Sequence, residues 1–136
     1  MMRELMLTLI GAVVLASPCM GEEPQEFLTE YEVQAKKENP KFTGFDSGRG
    51  KVFFNMKHGG EWMCASCHTD NPANEGKHIV TGKVIRPMSP AVNHLRFTET
   101  AKVEKWFKRN CKDVLSRECT AQEKGDFLAY LLSVVP

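Results

Sequence analysis

The five residues Cys64-Ala65-Ser66-Cys67-His68 constrain this chain more than any other part of it. Two cysteines separated by two residues present both sulfurs from one turn of backbone, and the histidine that follows lies beneath them. That spacing suits thioether attachment of one haem c through its two vinyl groups, with His68 as the proximal iron ligand. Two other chemistries use paired cysteines. A redox dithiol normally opens a helix within a strand-helix-strand unit, and no such pattern precedes Cys64. A structural zinc would want a second pair two to four residues apart, whereas seven residues separate Cys111 from Cys119. A non-haem zinc or disulfide-stapled binding module stays as a reading of another class.

The N-terminus suggests where such a group would be attached. After Arg3, residues Leu5 to Ala16 are apolar apart from Thr8 and Gly11, and Ser17-Pro18-Cys19-Met20-Gly21 then breaks the run. About a dozen apolar residues fit the core of a secretion signal and fall short of the roughly 20 that span a bilayer. The pattern predicts a signal peptide over 1–21, cleaved after Gly21, with a single periplasmic domain over 22–136. An uncleaved anchor is the alternative; a lipoprotein site at Cys19 is disfavoured by Pro18 directly before it. Removing Cys19 leaves Cys64, Cys67, Cys111 and Cys119, and an oxidising compartment leaves few thiols unpaired. With two of them in the haem motif, Cys111 and Cys119 should pair. The formal net charge of +1 provides no broad basic field, so nucleic acid is not an expected partner.

The chain's periodicity predicts four helices. Phe27, Leu28, Tyr31 and Ala35 share one face of a helix over 26–38, which Asn39-Pro40 ends. A second runs from about Asp46 to Lys57, with Asp46 or Ser47 as N-cap and His58-Gly59-Gly60 as its stop. A third spans about Thr98 to Asn110, with Thr98 as N-cap, Val103, Phe107 and Asn110 on its apolar stripe, and Trp106 beside them. The fourth covers about Ala121 to Val134. There Thr120 and Glu123 form a capping box, and Phe127, Leu128, Leu131, Leu132 and Val135 form the buried stripe. Between them, 71–93 carries Asn71-Pro72, Gly76, Gly82, Pro87 and Pro90 with no helical or strand period. A long irregular loop of this kind usually lines a functional site.

The haem motif, with Gly50 and Phe54 before it and Tyr130-Leu131 in the last helix, resembles class I cytochromes c. In that family a glycine of the early helix crosses close to an aromatic residue of the C-terminal one. The resemblance implies an all-α, class I cytochrome c-like fold wrapped around one covalent haem, here with an extra N-terminal helix, and makes 22–136 a cytochrome c domain. Function then turns on the sixth ligand. Met88, in Arg86-Pro87-Met88-Ser89-Pro90, would make a plain His/Met electron carrier, although it follows His68 by only twenty residues. His78, His94 and Asn93 are further candidates. Asn110 is another, and its bland role would be a helix C-cap.

The stretch Phe97-Thr98-Glu99-Thr100-Ala101-Lys102-Val103-Glu104-Lys105-Trp106-Phe107-Lys108-Arg109-Asn110-Cys111, followed by Cys119-Thr120 and Glu123-Lys124, is similar to the SHP family (sphaeroides haem protein). The likeness extends over most of 22–136, including Gly50, the haem motif and Gly82-Lys83 with Pro87 and Pro90. It implies that Asn110 is the sixth ligand of oxidised iron and leaves on reduction, opening a site for oxygen, nitric oxide or carbon monoxide. It also implies a Cys111–Cys119 disulfide beside that ligand. The implied electron donor is a dihaem cytochrome c, supplied in turn by a membrane cytochrome b. An amide oxygen is a hard, weak donor that suits ferric iron and holds ferrous iron poorly. Conversion of oxygen or nitric oxide would be the enzymatic extension of this reading; His78, His94 and Arg86 are candidates for its general acid, none with a defined distal address in the sequence.

Overall fold

Gly50 sets the architecture. In the computed structural model, which describes residues 21–136, it sits in α2 (Ser47–Asn55) where that helix crosses α5 (Ala121–Ser133). A Cβ at Gly50 would overlap the Asp126 carbonyl and lie 2.8 Å from Tyr130 Cβ. The expected glycine–aromatic crossing is therefore present, and a helix-interior glycine, which costs about 1 kcal/mol against alanine, is offset by close packing. Asp126 locks the same crossing. Its buried carboxylate accepts from Arg49 Nε at 2.8 Å and Nη2 at 2.9 Å, and from the Asp46 amide at 2.7 Å.

The remaining elements wrap this pair. Helix α1 (Pro24–Glu38) starts two residues before the expected point, because Pro24 takes the first turn and Glu23 and Glu26 form a capping box. It buries Phe27, Tyr31 and Ala35 against α5, and Glu38 accepts from the Ala121 amide at 3.0 Å. Helix α2 ends at Asn55, short of the glycine pair, with Asp46 as its N-cap accepting from the Arg49 amide at 2.7 Å. The haem motif is itself a one-turn helix, α3 (Cys64–His68). The loop over 71–93 contains a two-residue antiparallel ladder, β1 (Gly76–Lys77) with β2 (Val84–Ile85), that its composition did not reveal. The fold is otherwise all-α.

Helix α4 (Thr100–Leu115) corrects two expectations. It begins two residues late because Glu22 supplies the cap: its carboxylate accepts from the Thr100 amide and hydroxyl, both at 2.6 Å, while the Thr98 hydroxyl turns back to the Leu95 carbonyl. It ends five residues late because its inward stripe continues from Val103 and Phe107 to buried Cys111 and Leu115. Ser116, at φ 59°, is the C-cap, so Asn110 does not fill that role. In α5 the Thr120–Glu123 capping box is present, and Phe127, Leu128 and Leu131 are buried. Val135 lies past the helix end and is 74% exposed, outside the stripe assigned to it. The core is aromatic: Phe27, Tyr31, Phe54, Phe97, Phe127 and Tyr130, with Leu128 and Leu131. The expected signal segment and Cys19 lie outside the described residues.

Candidate haem site

Helix α3 places the Cys64 and Cys67 thiols on one turn. Both are free and half-buried, whereas Cys111 and Cys119 are joined by a disulfide with a Cα–Cα distance of 5.6 Å. Burial pushes the Cys64 thiol up to about 11. The His68 ring is lowered to about 4, by burial first and then by the nearby Arg96 cation, so it is neutral and a competent donor to iron. Its nearest aromatic neighbour is Phe54, with ring centroids 6.4 Å apart.

The chain is packed tightly around this turn. A Cβ at Gly76 would overlap the Cys67 carbonyl and stand 2.9 Å from the His68 Cα, so only glycine lets β1 pass here. Directly after the motif, Thr69 has φ 62° and ψ 169°, a conformation that a β-branched residue adopts only under constraint. Its hydroxyl donates to the Asn71 carbonyl at 2.8 Å, which helps hold the reversal. Buried Pro72 then accepts from the amides of Met88 at 2.8 Å and Ser89 at 3.0 Å.

The sequence-derived candidates fall into distinct settings. Met88 is half-buried and packs on the core, and its segment is tied to Pro72, four residues beyond His68. Pro87 accepts from Arg96 Nε at 3.0 Å and Asn93 Nδ2 at 3.1 Å, so the Asn93 amide is already engaged. His78 Nδ1 accepts from the Val80 and Thr81 amides, both at 3.2 Å, and serves the β1–β2 turn. His94 and Arg86 are exposed. Asn110 lies beside the inward stripe of α4 and not on it, next to the disulfide, with its side chain exposed. Trp106 is 45% exposed, with the Arg109 guanidinium 5.6 Å from its ring centre.

The sequence reading missed Arg96. It is half-buried, donates to the carbonyls of Pro87 and Arg86, and lowers the basicity of His68. Among the described residues no carboxylate pairs with it. An arginine 28 residues from the motif gives no local signal.

Two free thiols on one turn, a neutral imidazole directly after them and glycine-permitted packing behind them fit a covalent haem. Together with the Gly50–Tyr130 crossing, they define a class I cytochrome c carrying one haem c. Residues 40–131 match the family described as a domain of unknown function, DUF1924. The chain is 46% identical over 113 residues to cytochrome c'' of Methylophilus methylotrophus, covering 80% of this chain and 78% of that one. It is 36% identical over 129 residues to the cytochrome c-type protein SHP of Cereibacter sphaeroides, covering 90% and 95%. The crystal structure of oxidised cytochrome c'' superposes with a TM-score of 0.75 at 44% identity, over 83% of this chain and 95% of that one. Oxidised SHP, described as an oxygen-binding cytochrome c, gives 0.72 at 35% identity, over 82% and 96%. The chain belongs to this DUF1924 family of SHP-type monohaem cytochromes c.

Proposed function

We propose that this is an exported cytochrome whose oxidised form is ligated by His68 and Asn110 and whose reduced form releases Asn110 and binds a small diatomic ligand. In this reading Cys64 and Cys67 hold the haem by thioether bonds, 1–21 directs export to the periplasm, and 22–136 is the working domain. The haem, when bound, supplies a one-electron couple and a coordination position for oxygen, nitric oxide or carbon monoxide. The electron donor is a dihaem cytochrome c, fed by a membrane cytochrome b.

The observation that carries the choice of Asn110 over Met88 is the anchoring of the Met88 segment. Met88 is tied by its amide to Pro72, and adjacent Pro87 is bound by Arg96, the same cation that lowers the basicity of His68. These ties fasten the Met88 segment to the chain that directly follows His68, which supports a sixth ligand supplied by another element. Asn110 belongs to a separate helix and is fastened next door by the disulfide. Its amide would donate a hydrogen bond to a bound diatomic ligand after leaving the iron. Two relatives lend support: SHP binds oxygen, and the solution structure of cytochrome c'' is described as giving insight into haem-ligand detachment.

The test is the absorption spectrum of the purified holoprotein. The reduced form should be high-spin and shift when carbon monoxide is added. Asn110→Met should give a six-coordinate reduced form with weakened carbon monoxide binding. Unchanged carbon monoxide affinity in that variant would rule out the role given to Asn110, and a wild-type reduced spectrum indifferent to carbon monoxide would restore Met88.

A further inference from the structure

Helix α4 meets the core through few side chains. Phe107 makes its aromatic contacts, with ring centroids 6.0 Å from Tyr31, 6.4 Å from Phe97 and 5.5 Å from Phe127. One turn earlier, Glu104 joins three helices at one carboxylate. Its Oε1 accepts from the Tyr31 hydroxyl of α1 at 2.7 Å, and its Oε2 accepts from Lys124 Nζ of α5 at 2.6 Å. The Lys124 ammonium also lies over the faces of Tyr31 and Phe107, 5.4 and 5.6 Å from their centres. Tyr31 is fully buried and the Lys124 side chain is only 16% exposed, with aromatic rings on two sides of its ammonium, while the Glu104 side chain keeps 41% exposure at its outer edge. Charge-assisted hydrogen bonds in such surroundings are shorter and stronger than neutral ones.

Glu104 precedes Asn110 by six residues, about 9 Å along the helix axis. Cys111, on the other side of Asn110, is tied to Cys119 by the disulfide. Asn110 therefore stands between two fastenings, one covalent and one ionic. The covalent one holds unless the disulfide itself is reduced. The ionic one breaks and reforms, and it links α4 to the N-terminal helix as well as to α5.

We propose that Tyr31, Glu104 and Lys124 are positioning residues for Asn110: the node holds α4 in the register in which the Asn110 amide reaches the ferric iron. This rests on the reading of Asn110 as the ferric ligand. It assigns the N-terminal helix a part in ligand exchange as well as in packing. Weakening the node shifts oxidised protein toward the released form without touching the haem.

The experiment uses the oxidised holoprotein and cyanide, which binds ferric iron only after Asn110 leaves. Asn110→Ala tests the underlying reading and should change the ferric absorption spectrum and bind cyanide fastest. Glu104→Gln should accelerate cyanide binding by about tenfold, the size expected for loss of one charge-assisted interaction, and Tyr31→Phe by about threefold. Tyr31→Phe keeps the ring packing and serves where Glu104→Gln folds poorly. Arg49→Lys is the control, since it loosens the α2–α5 crossing away from α4 and should leave the cyanide rate at the wild-type value. A fast Asn110→Ala variant beside wild-type rates in Glu104→Gln and Tyr31→Phe would overturn the node and leave the Asn110 reading standing. A wild-type spectrum and rate in Asn110→Ala would overturn both. Equal acceleration by Arg49→Lys at an equal loss of stability would reduce the node to general packing and overturn it as well.

Discussion

At the scale of single residues, the helix crossing tolerates no side chain at position 50. Alanine there gains about 1 kcal/mol in helix propensity, yet its Cβ meets the Asp126 carbonyl and the Tyr130 Cβ at 2.8 Å. The helices must part, and overpacking of this kind costs roughly 1–3 kcal/mol. Gly50→Ala should therefore lower the urea midpoint of the holoprotein; an unchanged or higher midpoint would mean that the crossing relaxes freely. Gly50 and Tyr130 were legible in the sequence because a glycine inside a helix needs a reason. Asp126 was not: a carboxylate between glycine and phenylalanine reads as a solvent-facing position, and Arg49, which satisfies it, is 77 residues away. The same limit hid Arg96, whose significance lies in its nearness to His68 in space.

At the scale of elements, the start of α5, capped by neighbouring residues, was legible in the sequence, whereas that of α4, capped from a distance, was not. Thr120 and Glu123 are three residues apart, and the start of α5 fell where they placed it. The start of α4 is set by Glu22, 78 positions earlier, and its end by the continuation of its stripe to Leu115, so both boundaries moved. The α5 cap has a pH signature. Burial alone would raise the Glu123 carboxyl, but bonds from the Arg117 guanidinium and from the Thr120 amide and hydroxyl region outweigh it and hold the pKa below the ordinary value. A carboxyl depressed by folding stabilises the protein above its unfolded pKa, about 4.3, and loses that contribution as the pH falls through its folded value. Glu123→Gln should cost about 0.5–1 kcal/mol at pH 7, since the pair is partly exposed, and progressively less toward pH 3. Urea midpoints at the two pH values check this, and a constant difference between wild type and variant would contradict it. The disulfide that spans the α4–α5 connection, from Cys111 within α4 to Cys119 beside the α5 cap, closes a short loop, so replacing both cysteines by alanine should cost about 2.5 kcal/mol on the loop-entropy estimate. Urea unfolding of the holoprotein again gives the measurement.

At the scale of the whole molecule, ligand exchange and reduction form one equilibrium. If Asn110 binds oxidised iron and not reduced iron, its affinity is spent holding the protein oxidised, and the reduction potential must fall by the ratio of its two affinities. Each tenfold preference for the ferric state corresponds to about 59 mV in a one-electron couple. Asn110→Ala removes that preference, so its potential should rise above the wild-type value, by about 59 mV or more if the preference is at least tenfold. Glu104→Gln should move the potential in the same direction by less, because it weakens the hold on α4 without removing the amide. The ordering separates this coupling from a purely local effect. Changes to the electrostatics around the site also shift potentials, but neutralising Glu104 removes a negative charge and Asn110→Ala removes none. A potential raised by Glu104→Gln alone would therefore mark a field effect, whereas a larger rise in Asn110→Ala identifies ligand release as the quantity being read. Potentiometric titration of the three proteins in one buffer measures it, and a wild-type potential in Asn110→Ala would disconnect the amide from reduction altogether.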